Sequence, residues 1–243
     1  MILRVLGSGS SGNCYLLDDG KQILIIEAGI PFAEVKEAID YQTSRIVGVL
    51  STHEHGDHRK FIDEYKIAGI DVVKGNQIEN INDKNPLVTD LPCMFGNFFV
   101  SCFEVPHDVA CYGYCIEHKD MGRLVFVTDA KYVKYTFPQV EHIMVEANYA
   151  QDILDENVSS GAIPESLRNR VMKSHMSFET AKGMVSANAS YNLRNVIMCH
   201  LSSRNSDKKR FLDDMLEATG PIHNCAVHIA TKGLEIPLNK YPF

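Results

Sequence analysis

The 243-residue chain lacks the features that mark several protein classes. No apolar run approaches the length needed to span a membrane, and we find no low-complexity tract and no internal repeat. The N-terminal run 1–7 is strand-like and has no basic segment followed by a long apolar stretch, so we expect no secretory signal peptide. These absences predict a soluble protein of the cytoplasm.

Paired cysteines are also missing. The seven cysteines are an odd number at scattered positions, and no two of them form a C-x-x-C pair. This distribution excludes a disulfide framework and predicts reduced, mostly buried thiols. It agrees with a cytoplasmic location.

Positive charge is scarce, because 24 lysines and arginines face 31 acidic residues, for a net charge of −7. This balance excludes a protein whose whole surface attracts polyanions. It does not exclude a nucleic-acid substrate, because bound metal ions would add local positive charge. The length suits a single domain over residues 1–243 with a substantial core.

Apolar patterning predicts short strands in the first half of the chain and more helices in the second. Strands are expected at 2–6, 14–17, 22–27, 46–51, 98–105, 112–117, 124–128, 143–147, 195–199 and 226–231. Helices are expected at 32–39, 58–67, 164–172, 178–188 and 208–218, with Ser177 as the N-cap of the fourth. This order suggests two sheets packed face to face with helices outside.

The strongest chemical signal is the segment Ser51-Thr52-His53-Glu54-His55-Gly56-Asp57-His58, which directly follows an apolar strand. Three imidazoles and a carboxylate within six residues form a dense set of ligands for zinc, manganese or iron. A solvated, histidine-rich turn is the alternative. The position immediately after a buried strand favours metal binding.

This H-x-H-x-D-H motif resembles the signature of the metallo-β-lactamase superfamily. Three further parts of that family's pattern follow in order, each at the end of a predicted strand: His107 after Val105-Pro106, Asp129 after Val127-Thr128, and His200 after Met198-Cys199. The resemblance covers nearly the whole chain. It implies an α+β fold, a four-layer αββα sandwich without an inserted cap domain.

The resemblance also implies a site for two divalent metal ions, with zinc the expected ion and manganese or iron the alternatives. The first ion would have ligands from His53, His55 and His107, the second from Asp57, His58 and His200, and Asp129 would bridge them. A water between the ions would lose a proton and act as the nucleophile. The family usually has Asp where this chain has Glu27, a position that orients a ligand or its loop.

Other segments resemble the YycJ-like (WalJ-like) group of the superfamily, whose members resemble DNA exonucleases. They are the Gly/Ser loop 7–15, Glu146-Ala147-Asn148-Tyr149, the segment 175–181 and the segment 200–205. A carboxylate at Asp129 is typical of phosphodiesterases, whereas zinc lactamases usually have Cys there. We therefore expect a phosphodiesterase or nuclease that acts on nucleic acid, with DNA favoured. The alternatives are hydrolysis of a small ester, lactone or cyclic nucleotide, and a non-catalytic nucleic-acid-binding protein that retains its metals.

His175 is a further candidate catalytic residue, besides Asp57. Since other segments supply all seven ligands, His175 is free to bind the scissile phosphate or protonate the departing oxygen, beside a helix N-terminus that attracts anions. A core or helix-capping histidine is the alternative. The basic residues Arg204 and 208–210 follow the last ligand and are candidates either for phosphate contacts or for a solvated helix start.

Overall fold

Two β-sheets pack face to face in the computed structural model, which describes residues 1–75, 93–220, 222 and 224–240. The first sheet has the strand order β13-β1-β2-β3-β4-β5. Its strands are β1 (Ile2–Gly7), β2 (Cys14–Asp18), β3 (Ile23–Ile26), β4 (Ile46–Ser51), β5 (Val72–Lys74) and β13 (Glu235–Pro237).

The second sheet has the strand order β12-β11-β10-β9-β8-β7-β6. Its strands are β6 (Cys93–Phe95), β7 (Phe98–Val105), β8 (Cys111–His118), β9 (Gly122–Val127), β10 (His142–Glu146), β11 (Asn195–Cys199) and β12 (Ala226–Ile229). Both sheets are mixed, since antiparallel hairpins at one side continue into parallel strands at the other.

Helices cover the outer faces of both sheets. They are α1 (Phe32–Ala38), α2 (Gly56–Arg59), α3 (Ile62–Ile67), α4 (Gln151–Ser159), α5 (Glu165–Ser174), α6 (Phe178–Ala187) and α7 (Lys208–Thr219), with a short 3₁₀-helix at Thr43–Arg45. No helix among these described segments is long and apolar enough to cross a membrane.

Alternation along the strands creates the layers. In β3, Leu24 and Ile26 face the core between the sheets, whereas Ile23 and Ile25 face α1 and α3 on the outside. In the second sheet, the outward side chains pack instead against α6 and α7, where the Phe178 and Phe211 rings stack. β3 is buried on both faces, and this explains why all of its residues are apolar. The expected four-layer αββα sandwich is confirmed.

The parallel strands bring their carboxyl ends to one edge of the sandwich. β3 and β4 are parallel neighbours in the first sheet, and β9, β10, β11 and β12 are parallel in the second. Residues that directly follow these strands are therefore neighbours in space, although they lie far apart in sequence. This edge carries the histidine and aspartate motifs.

Most predicted elements are confirmed, and strands 46–51, 98–105 and 195–199 have the expected limits. The helix expected at 58–67 is wrong as one unit: α2 ends at Arg59 and α3 starts at Ile62, because the Phe61 amide donates to the Ala28 carbonyl instead of continuing the helix. None of the seven cysteines, all of which lie in the described ranges, forms a disulfide, and five of them are buried, as expected.

His142, at the start of β10, makes the stability of the sandwich depend on pH. Burial lowers its pKa to about 4 from 6.5, and its ring Nδ1 accepts a hydrogen bond from the Asn195 amide while Nε2 donates to the Met121 carbonyl. Folding therefore favours the neutral ring, and this contribution is complete above pH 6.5 and lost as the pH falls toward 4.

We expect wild-type protein to lose about 2 kcal/mol more unfolding free energy than His142→Gln when the pH is lowered from 7.5 to 5.0. Urea unfolding of both proteins at the two pH values measures the difference, with the other histidines cancelling between them. Identical pH dependence in the two proteins would show that His142 is not held neutral by the fold.

Candidate metal centre

The segment that runs from the end of β4 into α2 carries four of the seven predicted ligands. β4 ends at Ser51, and His53 follows with its side chain fully buried. The α-helix α2 begins at Gly56, which places Asp57 and His58 in its first turn. The His53 and His58 ring centroids lie only 4.3 Å apart.

A first donor group consists of His53, His55 and His107, whose ligand atoms all lie within 4.8 Å of one another. The His55 Nδ1 is 3.2 Å from the His107 Nε2. The opposite ring nitrogen of His107 donates to the Ser174 carbonyl at 2.8 Å, and Nδ1 of His53 lies 2.8 Å from the Thr52 hydroxyl. These outer contacts aim the remaining nitrogens toward a common point, as metal-binding histidines require.

A second donor group consists of Asp57, His58 and His200. The Asp57 Oδ2 lies 3.2 Å from the His200 Nε2 and 3.5 Å from the His58 Nε2. His58 follows β4 of the first sheet and His200 follows β11 of the second, so the group joins the two halves of the sandwich.

Asp129, directly after β9, lies between the two groups. Its Oδ2 is 2.5 Å from the His58 Nε2 and 3.7 Å from the His53 Nε2, and its Oδ1 is 3.2 Å from the His200 Nδ1. The side chain is almost fully buried. The structure thus brings together every residue that the sequence analysis named as a ligand.

The backbone at this edge adopts unusual conformations. Glu27, Asp129 and His200 have φ values of 69°, 48° and 51°, in the left-handed region that side chains other than Gly rarely occupy. Each follows the last residue of a strand by one to two positions, and the reversed backbone turns its side chain into the site. Such conformations cost of order 1–3 kcal/mol and cluster at functional sites.

The electrostatics of the site suit cations. Burial, reinforced by the proximity of His58, lowers the pKa of His53 to about 2, so this ring is a neutral donor. Burial disfavours the charge on Asp129, but His200 and His58 outweigh it and hold the pKa of this carboxyl well below its usual value. Burial disfavours the charge on His200, but Asp129 and Asp57 outweigh it and raise the pKa of this ring to about 9, so a bound metal ion would displace its proton.

The donor atoms themselves test whether metal ions fit. Nε2 of His53 is buried and has no hydrogen-bond partner among the described residues, and Oδ2 of Asp129 lies 3.7 Å from it. Buried polar atoms are almost always satisfied, so this orphaned nitrogen beside a carboxylate indicates an absent partner. Two nitrogen-rich donor groups joined by one carboxylate fit two divalent ions of the zinc, manganese or iron kind.

Glu27 contacts the site from the position where the family usually has Asp. Its Oε1 lies 3.1 Å from the His58 Nδ1 and accepts a hydrogen bond from the Thr52 hydroxyl at 2.5 Å. Its other oxygen accepts from the Thr52 amide. The longer side chain therefore reaches a candidate ligand and its loop, as the sequence analysis expected.

Glu146 is a site residue that the sequence analysis did not identify by role. It ends β10, is completely buried, and has its Oε1 2.9 Å from the His200 Nδ1 and 2.7 Å from the His175 Nδ1. Its Oε2 accepts hydrogen bonds from the Met176 and Ala130 amides. The sequence did contain one signal for Glu146: it is a carboxylate at the end of an apolar strand, and a buried charge requires partners.

His175 is the C-cap residue of α5, and its side chain lies against the centre. Its Nδ1 is 2.7 Å from the Asp129 Oδ1 as well as from Glu146, and its ring stacks on His200 with centroids 5.4 Å apart. The side chain is half-buried, and its other edge lines the open cleft. Ser177 caps α6 by accepting from the Thr180 amide, so the predicted cap is confirmed.

The Gly/Ser loop between β1 and β2 supports the metal-binding segments. The Asn13 amide group donates to the Asp57 carbonyl, and the Ser8 hydroxyl accepts from the His200 backbone amide at 3.0 Å. Gly29, which follows β3, also packs against the metal-binding segment, because a Cβ added there would lie 1.9 Å from the Asp57 carbonyl oxygen. This loop therefore fixes ligands of both sheets.

The centre opens into a cleft of about 520 Å³. Arg170 and Arg204 line it, whereas Lys208 and Lys209 do not. Arg210 donates hydrogen bonds to both carboxylate oxygens of Asp152 and so links α7 to α4. Of the four basic residues that follow His200, only Arg204 is placed to meet a ligand in the cleft.

Glu146→Gln should weaken metal binding about 10- to 100-fold, because Gln keeps the size but loses the charge that orients and polarises His200. Chelator competition with zinc measures the affinity. Glu156→Gln, on the exposed face of α4, removes the same charge far from any donor and is the matched control. Equal affinities in the two variants would mean that Glu146 has only a packing role.

The amino-acid sequence is similar to those of known proteins. The family described as "Metallo-beta-lactamase superfamily" matches residues 7–78. "Exodeoxyribonuclease WalJ" of Streptococcus pneumoniae is 24% identical over 227 residues, covering 84% of this chain and 83% of that protein. "Exodeoxyribonuclease YycJ" of Bacillus anthracis is 25% identical over 227 residues, covering 84% of each.

Solved structures agree on the fold. The metallo-β-lactamase fold protein YhfI from Bacillus subtilis superimposes with a TM-score of 0.65 at 16% identity, over 97% of this chain and 99% of that one. The short form of human tRNase Z gives a TM-score of 0.57 at 12% identity, over 98% and 99%. The described part of this chain contains no additional cap domain.

Proposed function

We propose that this chain, whose residues 7–78 match the metallo-β-lactamase superfamily, is a hydrolase: a two-metal phosphodiesterase that degrades DNA from its ends. The observation that carries the proposal is the buried Asp129 carboxylate between two complete histidine groups. A carboxylate here, in place of a thiolate, would offer an oxygen ligand to both ions and suits phosphate chemistry.

His53, His55 and His107 would hold one ion, Asp57, His58 and His200 the other, and Asp129 both. The ions would supply a nucleophilic water at neutral pH and neutralise charge on the phosphate. The five histidines among these seven residues are held by hydrogen bonds, close carboxylates or packed rings of the chain itself, which preorganises the centre.

His175 would act on the substrate side. With Nδ1 held by Asp129 and Glu146, its Nε2 is the atom available to the cleft, and no described residue occupies it as a hydrogen-bond partner. We assign it to the phosphate or to the departing oxygen, to which it would donate a proton. Arg170 and Arg204, at the walls of the cleft, would hold neighbouring phosphates.

The relatives named as exodeoxyribonucleases support DNA as the substrate and terminal cleavage as the mode of attack. The test is a screen of the metal-loaded protein on end-labelled single- and double-stranded DNA and RNA, with a lactam and a thioester as controls. Progressive shortening of DNA, absent in Asp57→Ala, is expected. Hydrolysis of the lactam or thioester with all nucleic acids intact would refute the proposal, and binding without hydrolysis would favour a non-catalytic protein.

A further inference from the structure

A second cavity of about 450 Å³ opens beside the metal centre, on the other side of His175. His175, which contacts Asp129, lines both the cleft and this side cavity, so the two are neighbours at this residue. The segment that follows Asp129, the last turn of α5 and the start of α6 form its walls. The lining residues that matter are Lys131, Tyr132, Arg168, Lys173 and Ser177.

The charge of the side cavity opposes that of the chain. The protein has a net charge of −7, yet the lining includes three cationic side chains and no carboxylate. Arg168 is engaged by Asp155. Neither Lys131 nor Lys173 has an acidic partner within ion-pair distance in the described ranges, so both ammonium groups are available to an anion.

An aromatic ring completes the lining. Tyr132 is 48% exposed, although most of the large apolar side chains in the described ranges are buried. An exposed ring directly beside unpaired lysines provides a stacking surface next to a phosphate site, and base stacking on such rings is largely independent of sequence. The cavity volume falls within the range of small-ligand sites.

We propose that the side cavity binds the nucleotide adjacent to the scissile phosphodiester, with its phosphate between Lys131 and Lys173 and its base on Tyr132. The inference rests on the proposed phosphodiesterase function and extends it, because it gives the enzyme a nucleotide subsite outside the metal centre. His175, at the junction, would lie between the scissile phosphate and the bound nucleotide.

The test compares Lys131→Ala/Lys173→Ala and Tyr132→Ala with two matched controls in the metal-loaded protein. Lys21→Ala/Lys66→Ala removes equal charge from exposed positions outside both cavities, and Tyr191→Ala removes a ring that is 90% exposed. Binding of a phosphorothioate single-stranded oligonucleotide is followed by fluorescence anisotropy at several salt concentrations. Hydrolysis of the normal oligonucleotide and of bis(p-nitrophenyl) phosphate is measured in parallel.

Tyr132→Ala is expected to weaken oligonucleotide binding about tenfold. The double lysine variant should weaken it and lower the slope of log affinity against log salt by about one. Both should keep wild-type hydrolysis of bis(p-nitrophenyl) phosphate, which has no adjacent nucleotide. Oligonucleotide binding equal to that of the matched controls would overturn the subsite. If the wild-type protein hydrolyses neither substrate, the proposed function is refuted, and the binding result alone decides the subsite.

Discussion

Asp129→Asn should abolish hydrolysis and empty both metal positions. The amide cannot bridge two cations as a carboxylate does, and it removes the carboxylate nearest to the buried Nε2 atoms of His53 and His58. Metal ions contribute several kcal/mol of transition-state stabilisation, so activity should fall by a factor of about a thousand or more. Initial rates on end-labelled DNA and elemental analysis of the same preparations measure the two effects.

Asp213→Asn is the matched control, because it removes an exposed carboxylate of α7 that does not line the cleft. It should retain two ions and full activity. If Asp129→Asn kept both ions and more than about a tenth of the activity, Asp129 would not be the bridging ligand, because loss of several kcal/mol cannot leave so much.

His175→Ala should lower turnover about 10²- to 10⁴-fold while metal content and thermal stability stay near those of the wild type. The seven ligands come from other residues, and Glu146 keeps its contacts with His200 and two backbone amides after the ring is removed. The bound ions would satisfy the freed Asp129 oxygen. Turnover, metal content and melting temperature are measured on one preparation.

His228→Ala is a useful control, because it removes a partly buried histidine of β12 that lies outside the cleft. Parallel loss of metal, stability and activity in His175→Ala would instead support a structural histidine. Near-normal turnover would remove His175 from the mechanism.

The sequence indicates the candidate donors because the chemistry is local in two ways. H-x-H-x-D-H places four donors in one loop, and His107, Asp129 and His200 each follow an apolar strand. The αββα layers followed from the family resemblance, since apolar runs alone do not reveal which strands become neighbours. Parallel pairing then explains why donors so far apart in sequence meet at one edge.

The parts that the sequence did not predict depend on tertiary contacts. Glu146 gained its role only when β10 was placed between β9 and β11, beside His200. The short edge strands β5, β6 and β13 have three residues each, too few for a periodic pattern. Helix α4 is only weakly apolar and was missed for the same reason: its single fully buried position, Leu154, gives little periodicity.

The sequence did not predict the side cavity either. Lys131, Tyr132 and Lys173 are ordinary surface residues in the sequence, and they form a cavity only because the end of β9 and the end of α5 meet at His175. Of the basic candidates that follow His200, the structure places only Arg204 at the cleft.

The central claim is that the seven donors hold two metal ions. Elemental analysis of the protein purified without chelator, and again after reconstitution with zinc and with manganese, tests it most directly. The donor set predicts about two ions per chain, with the second position chiefly lost in Asp57→Ala. One ion or none after both reconstitutions would contradict the two-metal centre and the mechanism built on it.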